Sequence, residues 1–408
     1  MKTLLIKNVL LDGSKTNILI QDNIFANLNA PSDATADTVI EAEGKAILPP
    51  FYNTHTHAAM TLLRGYAEDM NLDKWLHDYI WPREDKLTAE DIRLGSQLAC
   101  LEMIKSGTVF FTDMYFDIEG TIDVVDKMGM RAAIGVTFMD YHPKGVRDAK
   151  KSLIRNWEDI DGGRITLVAA PHAIYTVNGE NFKCAVRCAR EKGLRIITHL
   201  SETESEVQDC IKANGMSPVE YLDSLGVLGP DLVAAHCVHI SDKDIDILRE
   251  RGVNLSHCPA SNMKLGSGRF PYEKVGGLNV TLGTDGASSN NNLDMREEMK
   301  LAAFYAKSLG NTELLSAKEV FDWATVNGAK AFGIDAGVIA KGKLADCILV
   351  RLDDPKMTPC YNIIANWVYS ADSSLVDTVI CNGKIIMQDR HVPGEEEILE
   401  AVNSKWKI

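Results

Sequence analysis

Gly193-Leu-Arg-Ile-Ile-Thr-His-Leu-Ser-Glu202 is the stretch that decides the fold. A glycine, where helices tend to stop, precedes a short β-rich apolar run at 195–198; a histidine and a polar loop follow. The same unit recurs on both sides. From Ala46 onward, runs at 47–51, 108–111, 132–136, 165–169, 195–198, 232–235, 253–256 and 279–282 alternate with amphipathic helical stretches. Thr88-Ala-Glu-Asp91, Ser241-Asp-Lys-Asp244 and Ser316-Ala-Lys-Glu319 resemble helix-capping signals, and Gly107 and Gly252 also stand just before runs. Eight strand–helix units predict an α/β fold, a (β/α)8 TIM barrel over 49–339. A doubly wound open sheet is the alternative, and it seldom needs eight such units.

The ends read differently. Residues 1–48 and 340–408 hold short alternating strands, such as 17–20 and 378–386, with an Asn382-Gly383 turn. Both termini are expected to form one small composite β-sandwich beside the barrel. The chain has 408 residues, 45% hydrophobic and 25% charged, which excludes disorder and collagen-like repeats. A net charge of −14 without any Lys/Arg-rich run makes nucleic acid and anionic membrane poor partners. No apolar stretch approaches the roughly 18 residues of a spanning helix, and residues 4–6, broken by Lys7, lack a signal-peptide core. Nine scattered cysteines without a C-x-x-C read as reduced thiols of a cytoplasmic protein. Of these, Cys237 and Cys258 fall nearest the strand ends and read as packing.

The positions of the histidines carry the chemistry. Six of the ten, His55, His57, His172, His199, His236 and His257, lie at or just past the carboxyl ends of the runs, with Asp285 at the eighth. Strand carboxyl ends of a barrel converge on one mouth. Imidazoles and a carboxylate meeting there suit a divalent transition metal, with Zn2+ the default. In Asn53-Thr-His-Thr-His57 the two histidines, two residues apart in a strand, face the same side and can grip one ion.

His199-Leu-Ser-Glu202 places a carboxylate on the loop after strand five, within reach of a water on that ion, as general base and then acid. The plainer reading is a solvated acid at a helix start, because Glu202-Thr-Glu204-Ser-Glu206 is an acidic run. His236 ends an apolar strand, where a lone histidine is more often a hydrogen-bonded core residue. Asp285 can ligate the ion or hold the attacking oxygen. His257 reads equally as support for the ligands or as packing.

These motifs resemble the amidohydrolase superfamily, in particular its 5-methylthioadenosine/S-adenosylhomocysteine deaminases. The resemblance runs nearly end to end, through Thr54-His-Thr-His-Ala-Ala-Met-Thr-Leu-Leu-Arg-Gly65, Pro171-His172, Ala234-Ala-His-Cys-Val-His239, Ser256-His-Cys-Pro-Ala-Ser-Asn-Met-Lys-Leu-Gly266 and Thr281-Leu-Gly-Thr-Asp-Gly-Ala-Ser-Ser-Asn290. It implies a barrel with a flanking β-sandwich and one divalent ion, zinc or alternatively iron, held by His55, His57, His199 and Asp285. Glu202 would shuttle a proton to the ring nitrogen beside the attacked carbon, while His236 and Asp285 orient the water. The implied reaction is hydrolytic loss of ammonia from C6 of an adenine nucleoside. Binuclear relatives carry a carboxylated lysine at strand four, whereas this strand ends Ala169-Ala-Pro-His172, which fits one ion.

By the same resemblance, the segment at 58–87 covers the pocket. Glu84 would bind the ribose hydroxyls, which suits a carboxylate's acceptor capacity. Trp75 would line the ribose or thioether side, and His172 would touch the purine. Arg147 aligns with an arginine that meets a homocysteine carboxylate. A second such arginine is missing near Val136, which ranks methylthioadenosine and adenosine above S-adenosylhomocysteine.

The expected partner is therefore a small purine nucleoside, with a homo-oligomer left open. Another heterocycle, such as guanine or a chlorinated triazine, is the alternative substrate; a free base has no ribose for Glu84 and Trp75 to hold. A metal-binding barrel without catalysis is the alternative of another class, and it would need neither Glu202 nor His236. A cytidine-deaminase zinc site is excluded by the lack of H-x-E…P-C-x-x-C.

Overall fold

Pro49-Pro50 removes two successive backbone N–H donors from any ladder, and there the chain passes from one sheet into another. In the structure, a computed structural model that describes residues 2–140, 162–308 and 310–406, one sheet draws on both ends of the chain. Its N-terminal strands are β1 (Thr3–Leu11), β2 (Ser14–Gln21), β3 (Ile24–Asn27), β4 (Thr38–Glu41) and β5 (Lys45–Leu48). The second sheet is the barrel: β6 (Phe51–Thr56), β7 (Thr108–Tyr115), β8 (Arg131–Phe138), β9 (Ile165–Pro171), β10 (Arg195–Leu200), β11 (Leu232–His236), β12 (Asn254–His257) and β13 (Asn279–Leu282). These eight are parallel and neighbour one another in chain order, and among the described residues helices separate most of them. Every residue of β6, β7 and β8 is buried, as expected for a parallel sheet covered on both faces.

The expected first run, 47–51, is thus two strands. Ile47 and Leu48 pair with Leu349 and Ile348 in the terminal sheet, and only Phe51 belongs to the barrel. The strands β14 (Cys347–Arg351), β15 (Val376–Cys381) and β16 (Lys384–Met387) complete the terminal sheet. Asn382 and Gly383, both at positive φ, form the tight turn between β15 and β16. Residues 340–408 are not all sheet, however. The helix Ile363–Tyr369 carries Trp367, which stacks on Phe51 at 6.2 Å, and the helix Glu395–Lys405 packs on the helix Ala89–Ser106.

Between β13 and β6 the ring is closed partly by side chains. Thr54 Oγ1 meets Thr281 Oγ1 and Ser256 Oγ, each at 2.7 Å, and Asp285 N donates to the His55 carbonyl at 3.0 Å. Gly283 permits that approach, since a Cβ there would stand 2.8 Å from His55 Cβ. Below the barrel, Asp346 accepts from Tyr52 Oη and Arg131 Nε, each at 2.7 Å, tying the terminal sheet to the strands. Capping boxes form at Thr88, Ser241 and Ser316, as their sequences predict, and also at Ser217. Among the described residues no helix is long and apolar enough to cross a membrane.

Candidate active site

The strand ends deliver their imidazoles to one point. Donor atoms of His55, His57 and Asp285 lie within 4.8 Å of one another, and so do those of His55, His199 and His236. Asp285 Oδ1 stands 3.2 Å from His57 Nε2 and 3.5 Å from His55 Nε2. All five side chains are buried.

Second partners fix which ring nitrogen is free. His57 Nδ1 donates to the Met114 carbonyl at 2.7 Å, and His199 Nδ1 to the His172 carbonyl at 2.8 Å. Each Nε2 lone pair is thereby aimed inward, the arrangement that readies imidazole for a metal. Among the described residues, buried His55 Nε2 has no hydrogen-bond partner, Asp285 Oδ1 standing 3.5 Å away. Burial raises the cost of the Asp285 charge, yet the imidazoles of His55 and His57 beside it hold its carboxyl well below the usual range, so it stays an anion. Ser261 and Ser289 donate to its other oxygen at 2.6 and 3.0 Å. Orphaned nitrogen, converging lone pairs and a fixed anion together fit a divalent cation.

Glu202 stands beside this set. Its Oε2 is 3.7 Å from His236 Nε2, and its Oε1 accepts from Ser267 Oγ at 3.2 Å. Burial pushes its pKa up, only partly offset by His236. His236 Nδ1 is held by Asn262 Oδ1 at 2.8 Å. Ser201, His236, Cys237 and Asp285 all take positive φ, so these turns are held in a backbone region that side-chain-bearing residues seldom adopt.

His57, Trp75, Glu84, His172, His199, Glu202, His236 and Asp285 line a single inner pocket of about 60 Å³. It adjoins an outer chamber of about 800 Å³, with which it shares Leu72, Leu76, Trp81, Met139 and Tyr175. Trp75 and Glu84, both buried, are brought there by the partly exposed segment of short helices between β6 and β7. Burial pulls His172 down to about 3, leaving a neutral ring. His55 lies behind the pocket wall, and Arg147 lies outside the described residues.

His257 turns away from the cluster: its Nε2 meets Tyr272 Oη at 2.7 Å and its ring stacks on Phe270 at 4.1 Å. Burial drives the Cys237 and Cys258 thiols upward, away from reactive thiolate. Sequence reasoning missed Asn262, Ser261, Ser267 and Tyr175. The first two fall inside the Ser256–Gly266 motif, but only the fold pairs them with His236 and Asp285.

A parallel eight-stranded barrel with a cation-ready cluster of this kind at its strand ends defines the metal-dependent hydrolase class. More particularly, the chain belongs to the amidohydrolase family, whose model, "Amidohydrolase family", matches residues 46–386. It is 46% identical over 398 residues to a 5'-deoxyadenosine deaminase of Methanosarcina mazei, covering 95% of this chain and 92% of that one. It is likewise 46% identical over 378 residues to a 5-methylthioadenosine/S-adenosylhomocysteine deaminase of Archaeoglobus fulgidus (91% and 90% covered). Among solved structures, a zinc-bound adenosine deaminase from Xanthomonas campestris superposes with TM-score 0.93 at 29% identity, over 99% of this chain and 97% of that one. A zinc-bound atrazine chlorohydrolase from Arthrobacter aurescens has TM-score 0.90 at 22% identity, over 99% and 100%, a likeness of fold alone.

Proposed function

We propose that this chain is a hydrolytic deaminase of adenine nucleosides, acting on adenosine, its 5'-deoxy and 5'-methylthio forms and S-adenosylhomocysteine to give the inosine analogue and ammonia. The observation that carries the reading is the buried carboxylate of Glu202 beside His236, at the edge of the His55, His57, His199 and Asp285 cluster. Relatives at 46% identity over nine-tenths of the chain support the substrate class.

His55, His57, His199 and Asp285 would hold one divalent cation, for which we favour Zn2+ over iron. When bound, such an ion makes water nucleophilic near neutral pH. The protein's residues do the rest. Glu202, with its raised proton affinity, takes a proton from the attacking water and hands it to the ring nitrogen next to C6. His236 and Asp285 orient that water by hydrogen bonds. The C6–O bond forms, the proton left on that oxygen passes to the amino group, and the C6–N bond breaks, so that nitrogen leaves as ammonia and C6 becomes a carbonyl. Glu84 accepts from the ribose hydroxyls, Trp75 packs against the sugar, and neutral His172 meets the purine. Arg147 would serve a carboxylated 5'-substituent. We place the enzyme in the cytoplasm, in keeping with its scattered cysteines.

The test is an absorbance assay of purified protein with adenosine, 5'-deoxyadenosine, methylthioadenosine, S-adenosylhomocysteine, guanine and a chlorotriazine side by side. Turnover confined to the base or the triazine would overturn the reading. Glu84 and Trp75 in the pocket favour a substrate that carries a ribose.

A further inference from the structure

The turn that carries Glu202 is held in an unusual way. β10 ends at Leu200; Ser201 takes φ +50, and the helix Glu204–Asn214 begins after Thr203. Thr203-Glu-Ser-Glu206 has the spacing of a capping box, and Thr203 Oγ1 does accept from Glu206 N at 3.2 Å. In a complete box the acid at the third helical position reaches back to the N–H of the cap residue. The boxes at Thr88/Asp91, Ser217/Glu220, Ser241/Asp244 and Ser316/Glu319 all do so.

Glu206 overshoots. Its Oε1 accepts from Ser201 N at 2.9 Å and its Oε2 from Glu202 N at 2.8 Å, two residues and one residue before the cap. The side chain is buried in the wall of the outer chamber. From the other side, the Ser201 carbonyl accepts from Val238 N at 3.0 Å and His239 N at 2.9 Å, just beyond His236. The peptide planes on both sides of Ser201 are therefore pinned. Helix capping alone would need neither bond, and a second buried carboxylate so close to Glu202 is electrostatically unfavourable. The arrangement makes sense if the position of the Glu202 backbone is what is being secured.

We propose that Glu206 is the positioning residue for Glu202: its carboxylate clamps the Ser201 and Glu202 amides, setting where the proton-carrying side chain points. This rests on the reading of Glu202 as proton carrier. A displacement of about 1 Å at a reacting group can cost on the order of a hundredfold in rate, whereas substrate contacts made by Glu84 and Trp75 are untouched by the clamp.

The experiment compares Glu206→Gln, Glu220→Gln and Glu202→Gln in the zinc-loaded enzyme, measuring kcat and KM for adenosine, bound zinc and Tm. Gln keeps the shape of Glu206 but turns an NH2 toward one of the two amides. Glu206→Gln is expected to lower kcat about 30- to 100-fold, with KM within about twofold and zinc at one equivalent. Glu220→Gln, which can still cap Ser217 N but loses its ion pair with Lys243, is the control at an ordinary box and should leave turnover unchanged. Wild-type kcat in Glu206→Gln, or an equal loss in Glu220→Gln, would overturn the clamp. If Glu206→Gln does not fold, Glu206→Asp, too short to span both amides, is read in the same way. Full activity in Glu202→Gln would sink the proton-carrier reading and the clamp with it; an inactive Glu202→Gln beside a fully active Glu206→Gln sinks the clamp alone.

Discussion

His57 Nε2 and His199 Nε2 face each other at 3.3 Å, although both rings already commit Nδ1–H to backbone carbonyls. Two such lone pairs aimed at one point repel, and a cation between them and Asp285 removes the conflict. Chelation should therefore abolish turnover and lower Tm, with one equivalent of zinc restoring both. His199→Ala should bind zinc substoichiometrically by metal analysis. Full activity after exhaustive chelation would contradict the assignment.

Glu202→Gln should retain the metal yet lose about 10²- to 10⁴-fold in kcat, the usual yield of a positioned general acid–base. Steady-state ammonia release together with zinc content checks this. Near-normal turnover would remove Glu202 from the proton path.

Glu84→Ala should reduce kcat/KM for nucleosides about 10- to 100-fold, the worth of a hydrogen bond to a charged group. Any residual activity on free adenine should not change. An equal loss on both substrates would mean that Glu84 props the pocket without touching ribose.

Gly283→Ala introduces a Cβ 2.8 Å from His55 Cβ and from Ser256 Oγ, at the seam where β13 meets β6. Overpacking there should cost about 1–3 kcal/mol. Because His55 is displaced, zinc affinity should fall as well. Denaturant titration and competition with a chelator measure the two effects, and an unchanged zinc affinity would show the seam to be compliant.

Glu298 gives a pH prediction. Fully buried, it accepts from Ala260 N at 3.0 Å and Asn290 Nδ2 at 2.7 Å, and burial pushes its pKa up to about 8 despite those bonds. A carboxyl whose folded pKa is raised contributes stability below its unfolded value that is lost as pH rises through the folded one. Glu298→Gln lacks this titration. The Tm advantage of wild type over Glu298→Gln should thus shrink between about pH 5 and about pH 9. A constant or widening gap would be inconsistent with a neutral Glu298.

The sequence by itself determined the barrel and the cluster of side chains at its mouth, because both are written locally. Alternating apolar runs and helix signals specify βα units, and chain order alone brings their ends to one mouth, so His55, His57, His199, His236 and Asp285 could be picked out as a set. Tertiary structure decided what depends on backbone atoms and distant neighbours. The carbonyls of Met114 and His172 fix the histidine tautomers, yet a carbonyl has no residue type to read. Pro49-Pro50 divides one apparent strand between two sheets because each half finds a different partner. Tyr272 and Phe270 draw His257 away from a cluster that its position in the chain resembles. Glu206 reads as one more acid at a helix start; only the positive φ of Ser201 turns two amides toward it.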